Sequence, residues 1–156
     1  MISFPIFGVS LILLYLASTL YHASQEPQKR FKLKVFDHAA IYVLIAGSYT
    51  PFTLVSLNGE TGWLIFSMVW VMAFTGIILK LFFTGKFKIV STAMYVLMGW
   101  LIVFYFQDLT AHLHEKGVFY LILGGVLYTF GYILYSIKKI KFNHAIFHFF
   151  VLAGSF

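Results

Sequence analysis

Phe4–Ala23 reads FPIFGVSLILLYLASTLYHA, and the stretch behind it, Gln25–Lys34, reads QEPQKRFKLK. An apolar run long enough to cross a hydrocarbon core, closed by a proline and four basic residues, is the repeating unit of a polytopic membrane protein. The pattern recurs from about Val35 to Leu57, Trp63 to about Leu81, Ile89 to about Phe106, Gly117 to about Ile137 and Asn143 to Phe156. Spans of about 20 residues joined by short loops use up the whole chain. The expectation is an all-α transmembrane bundle of about six helices forming one domain, 1–156.

Composition points the same way. Apolar residues make up 61% of the chain and charged residues only 10%, with a mean hydropathy of +0.90; ordinary soluble domains carry about 25% charged residues. Cysteine is absent, which removes disulfides, thiol nucleophiles and thiolate ligands, so any metal here must be held by histidine, carboxylate and water. The net charge of +6 does not imply a nucleic-acid partner, because the basic residues fall in short loops between apolar runs. The first run is not read as a signal peptide, since no basic region precedes it.

Loop charge gives the orientation. The loops after the first, third and fifth runs carry four, three and three Lys or Arg, and the two others carry only Lys116. The positive-inside rule then places the beginning of this chain outside. The last run reads as cut short: fourteen residues reach only about 21 Å at 1.5 Å each, against a core of about 30 Å.

This topology gathers the polar residues. Ser18 and His22 lie at the cytoplasmic end of the first run, Asp37 and His38 at the start of the second, and His144 and His148 at the start of the sixth. His144 and His148 are four apart and share a helix face, so their imidazoles can close on one ion. Ionisable side chains in apolar runs are costly and mark function by default. Three histidines from two separate helices, with a carboxylate from a third nearby, suit a zinc site whose fourth position is left to water. Each residue also has a plainer reading. Asp37 can be a helix-start carboxylate favoured by the dipole, and Ser18 can bond back to its own helix. His38 points about 100° away from Asp37 around the helix, which makes it a supporting residue rather than a ligand. His112 and His114 lie in a polar loop on the other side and belong to no site. Thr50-Pro51 predicts a bend in the second helix, with Thr50 compensating the lost hydrogen bond. The ten tyrosines and nineteen phenylalanines are expected to be mostly lipid-facing or interfacial anchors.

Three segments carry a family resemblance: Ser18-Thr-Leu-Tyr-His22, the stretch Phe36–Phe52 with Asp37, Gly47 and Thr50-Pro51, and Asn143–Gly154. In these the chain resembles bacterial haemolysin III proteins, a branch of the progestin and adipoQ receptor (PAQR) family. The resemblance implies a seven-helix membrane fold with a cytoplasmic N-terminus, of which this chain would lack the first helix and the end of the last. It also implies the site of a wider superfamily that includes alkaline ceramidases, in which a Ser, an Asp and three His are proposed to form a zinc-dependent lipid-amide hydrolase. On this chain these are Ser18 and Asp37 as catalytic residues and His22, His144 and His148 as zinc ligands. The expected activity is hydrolysis of an amide or ester bond in a membrane lipid or lipid-like substrate of a bacterial cell membrane. The alternatives are a pore-forming haemolysin and a receptor or sensor with structural zinc.

Overall fold

The computed structural model of the chain describes residues 2–57, 59–83, 88–137 and 139–155. All regular structure among them is helical. In order, these are α1 (Ser3–Ala23), α2 (Pro27–Pro51, widening into a π-helical stretch, Phe52–Leu57), α3 (Glu60–Phe82), α4 (Lys88–Trp100, a 3-10 stretch Leu101–Tyr105, then Phe106–His112), α5 (Glu115–Ser136) and α6 (Asn143–Ser155). The first five are long and apolar enough to cross a membrane. The chain is a multi-pass membrane protein.

Two boundaries correct the sequence reading. The basic segment expected to be a loop is helical from Pro27. Proline at the first helical position has no N–H to lose, and the Gln, Lys and Arg behind it are good helix formers, so α2 starts eight residues before its apolar run. Gln107–His112, also expected in a loop, continues α4. Asn58, between the second and third apolar runs, lies outside the described residues, as do positions 84–87 and 138 of the basic loops. Gly59 sits at φ +85, a region open to glycine at no steric cost, and opens α3.

The helices form two compact units, Met1–Leu109 and Thr110–Phe156. In the first, α2 is the hub, packing on α1, α3 and α4, and 56% of its spanning window is buried against 22% for α1 and α3. Close approach comes from small residues, as expected where no hydrophobic force separates protein from lipid. A Cβ on Gly47 would press on Ser10 Cβ at 2.8 Å, and one on Gly76 would enter the Tyr42 ring. Tyrosine hydroxyls then tie α2 to α4: Tyr42 Oη lies 2.9 Å from Ser91 Oγ, and Tyr95 Oη donates to the His38 carbonyl at 2.8 Å. This corrects the lipid-anchor reading for two tyrosines, since Tyr42 is fully buried and Tyr49 nearly so; the others are half-buried or, at Tyr120, exposed. The phenylalanines are largely exposed as expected.

In the second unit α5 packs on α6 along one seam, Gly124, Tyr128, Gly131 and Tyr135. A Cβ on Gly131 would stand 2.6 Å from Phe150 Cβ, and one on Gly124 would stand 2.8 Å from the Gly154 carbonyl oxygen. Tyr128 Oη meets Ser155 Oγ at 2.6 Å. His114 caps α5: its Nδ1 accepts from the Lys116 N–H at 3.3 Å.

Candidate metal centre

On the first unit the relevant residues come from the end of α1 and the third turn of α2. Ser18 is buried on α1; one turn later His22 is exposed, its ring tilted against Tyr21 at 4.7 Å. Asp37 is fully buried. Because α2 begins at Pro27, Asp37 is the eleventh residue of the helix, and the N-terminal dipole, which fades within the first turn, does not explain it. The helix-start reading of Asp37 is therefore wrong, and its cause was the misplaced start of α2. His38 is held beside it, with Nδ1 3.8 Å from Asp37 Oδ2. The same Nδ1 lies 2.8 Å from the Lys34 carbonyl oxygen; a carbonyl can only accept, so Nδ1 carries the proton. That bond fixes the ring in the supporting role expected of it.

On the second unit the i, i+4 spacing does what the sequence predicts. The rings of His144 and His148 stack at 4.8 Å with 20° between planes, and His148 is 9% exposed. Helix α5 sets the start of α6 in place: the Asn143 side-chain amide donates to the Tyr135 carbonyl at 2.9 Å, and the Tyr135 ring stands edge-on to His144 at 5.5 Å. Phe142, just before, takes φ +61, an uncommon conformation for a bulky residue. Tyr135 and Asn143 are positioning residues that the sequence reading did not single out. Asn143 directly before the pair was the available signal; nothing marked Tyr135 among ten tyrosines.

The first unit thus offers a buried carboxylate, Asp37, and an exposed imidazole, His22, and the second the stacked imidazoles of His144 and His148. The donor chemistry fits a borderline divalent ion: nitrogen and oxygen ligands suit zinc, and the pair on α6 presents both rings on one face.

A family model described as Haemolysin-III related matches residues 1–156. The chain belongs to the haemolysin III family, a branch of PAQR. The haemolysin III chain is 49% identical over 154 residues to a Hemolysin-3 homolog of Bacillus subtilis (strain 168), covering 99% of this chain and 72% of the relative. To Hemolysin-3 of Bacillus cereus it is 46% identical, covering 99% and 70%. A more distant relative is the Monocyte to macrophage differentiation factor of Homo sapiens, 29% identical over 159 residues, covering 96% of this chain and 64% of the relative. No solved structure matches the haemolysin III chain.

Proposed function

We propose that this haemolysin III chain holds a zinc ion near the cytoplasmic edge of the membrane and hydrolyses an amide or ester bond of a lipid there. The observation that carries the reading is the buried carboxylate of Asp37, eleven residues into a spanning helix. A position so costly for a charge is kept when the charge does work. In this reading His144 and His148 hold the metal together with His22. When bound, zinc supplies Lewis acidity and brings the pKa of water toward about 7. Asp37 orients the water and takes its proton, and its burial in a dry helix face raises the strength of that contact. Ser18, buried near the end of α1, donates its hydroxyl hydrogen bond toward the substrate carbonyl oxygen. The apolar helix faces give a lipid its approach path.

A second arrangement of the same residues has an observation in its favour. In it Asp37, which is fully buried, serves as the third donor in place of His22, which is exposed. Metal analysis of the purified chain separates the two. Wild type is expected to carry near-stoichiometric zinc and His148→Ala to lose it. His22→Ala losing zinc while Asp37→Asn keeps it supports the first arrangement, and the opposite pattern supports the second. Wild type without zinc, or His148→Ala with a full complement, removes the metal reading altogether. Relatives named as haemolysins make membrane lysis the rival activity. Liposomes loaded with dye and a labelled lipid amide distinguish them: product without leakage supports hydrolysis, and leakage that survives Asp37→Ala supports a pore.

A further inference from the structure

The N-terminal turns of α2 carry a feature that the metal centre does not use. From Pro27 to Leu57 the helix runs 31 residues, about 46 Å at 1.5 Å per residue, longer than a hydrocarbon core of about 30 Å and comparable to a whole bilayer with its headgroups. The excess is the Pro27–Lys34 end, where Lys29, Arg30, Lys32 and Lys34 are all exposed. That end therefore stands among the lipid headgroups.

Beside it lies a groove of about 430 Å³ within the first unit, lined by Phe31, Lys32, Val35 and Phe36 of α2 and by Leu81 and Phe82 at the end of α3. The volume falls in the range of small-ligand sites, roughly 300–1,000 Å³. Phe31 and Val35, and Lys32 and Phe36, are i, i+4 pairs, so α2 presents one apolar ridge and, beside it, a second that carries the Lys32 ammonium one turn before Phe36. Lys29 is one turn before Lys32 on the same flank. Arg30 is turned away, its guanidinium 5.5 Å over the Tyr21 ring on α1. No acidic residue occurs between Pro27 and Phe36 or between Thr61 and Phe83.

We propose that this groove is a binding site for an anionic phospholipid, with one acyl chain between the ridges and the phosphate held by Lys32 and Lys29. Charge complementarity selects the headgroup, and the apolar walls require a chain attached to it. General positive-inside charge would attract anionic lipid diffusely along every basic loop. A groove with lysines on one flank localises it.

The test is native mass spectrometry of the full chain released from mixed phosphatidylglycerol and phosphatidylcholine nanodiscs, counting lipids of each class retained. Wild type is expected to retain phosphatidylglycerol in preference. Lys29→Gln with Lys32→Gln should cut that preference about fivefold per lysine, whereas Lys139→Gln with Lys141→Gln, basic and exposed in the second unit, should leave it unchanged. Val35→Trp, which fills the groove and keeps both lysines, should also lose the bound lipid, and excess soluble glycerophosphate should not displace it from wild type. The proposal is overturned by undiminished preference in the α2 double variant, by an equal loss in the second-unit control, by retention in Val35→Trp, or by displacement with glycerophosphate.

Discussion

Asp37 is the residue on which the functional reading turns, because its energetics are hard to explain structurally. Its carboxylate is fully buried, and the ion-pair contact to His38 at 3.8 Å is at the long end of such interactions, with the His38 nitrogen involved already bonded to Lys34. Desolvating a carboxylate costs several kcal/mol, a penalty that partners within the protein often fail to repay in full. The chain therefore keeps the charge at some expense in stability. Removing it in metal-free protein should be a gain: after chelation, Asp37→Asn is expected to melt about 2–4 °C above wild type, or about 1 kcal/mol, followed by circular dichroism in detergent. With zinc added the order reverses. A metal-free variant that melts lower would make Asp37 a structural residue and weaken the metal reading. The histidine pair of α6 was legible from spacing alone, since i, i+4 fixes a shared face whatever the surroundings. Asp37 was legible only through topology, because its helix began where charged residues read equally well as loop or helix.

At the scale of elements, α2 and α4 both break regularity, and one side chain bridges to the second break. Pro51 has no N–H to donate, and α2 widens directly after it. Thr50 Oγ1 donates to Ala46 O at 2.9 Å and accepts from Trp70 Nε1 at 3.2 Å; the carbonyl that Pro51 leaves without its i−4 donor is that of Gly47, so these bonds are not the compensation the sequence predicts. The break in α4 was not legible: Leu101–Tyr105 reads LIVFY, with no proline, glycine or polar residue to announce it. Passing from α to 3-10 pairing moves backbone partners, and in an apolar setting each group left over costs several kcal/mol. Tyr49 covers the junction. Its hydroxyl accepts from the Ile102 N–H at 3.0 Å and donates to the Gly99 carbonyl at 3.1 Å. Tyrosine serves equally well as an interfacial anchor, which is why sequence could not assign this role. Tyr49→Phe keeps the ring and removes both bonds, so it should cost about 1–3 kcal/mol. Hydrogen exchange at the Ile102 amide should rise with it while exchange in α1 stays constant. Unchanged exchange at Ile102 would mean the junction holds without Tyr49.

On the scale of the whole molecule, the candidate ligands are divided between two compact units. Asp37 belongs to the first unit and the stacked histidines to the second. Apolar runs made the helices legible, but division into units was not, because it depends on which faces pack and the sequence shows only that all of them are apolar. The proposed ion, held by ligands from both units, would link their stabilities thermodynamically: it would bind only when both are folded, and so stabilise by about 2.7 kcal/mol when free metal is a hundredfold above its dissociation constant. With zinc present, calorimetry should therefore record one unfolding transition, and chelation should lower its midpoint and split it in two. His148→Ala should show the split pattern with or without zinc, since the variant has nothing to couple. If wild type gives one unshifted transition in both conditions, no ion joins the units, and the residues of α2 and α6 must do their work separately.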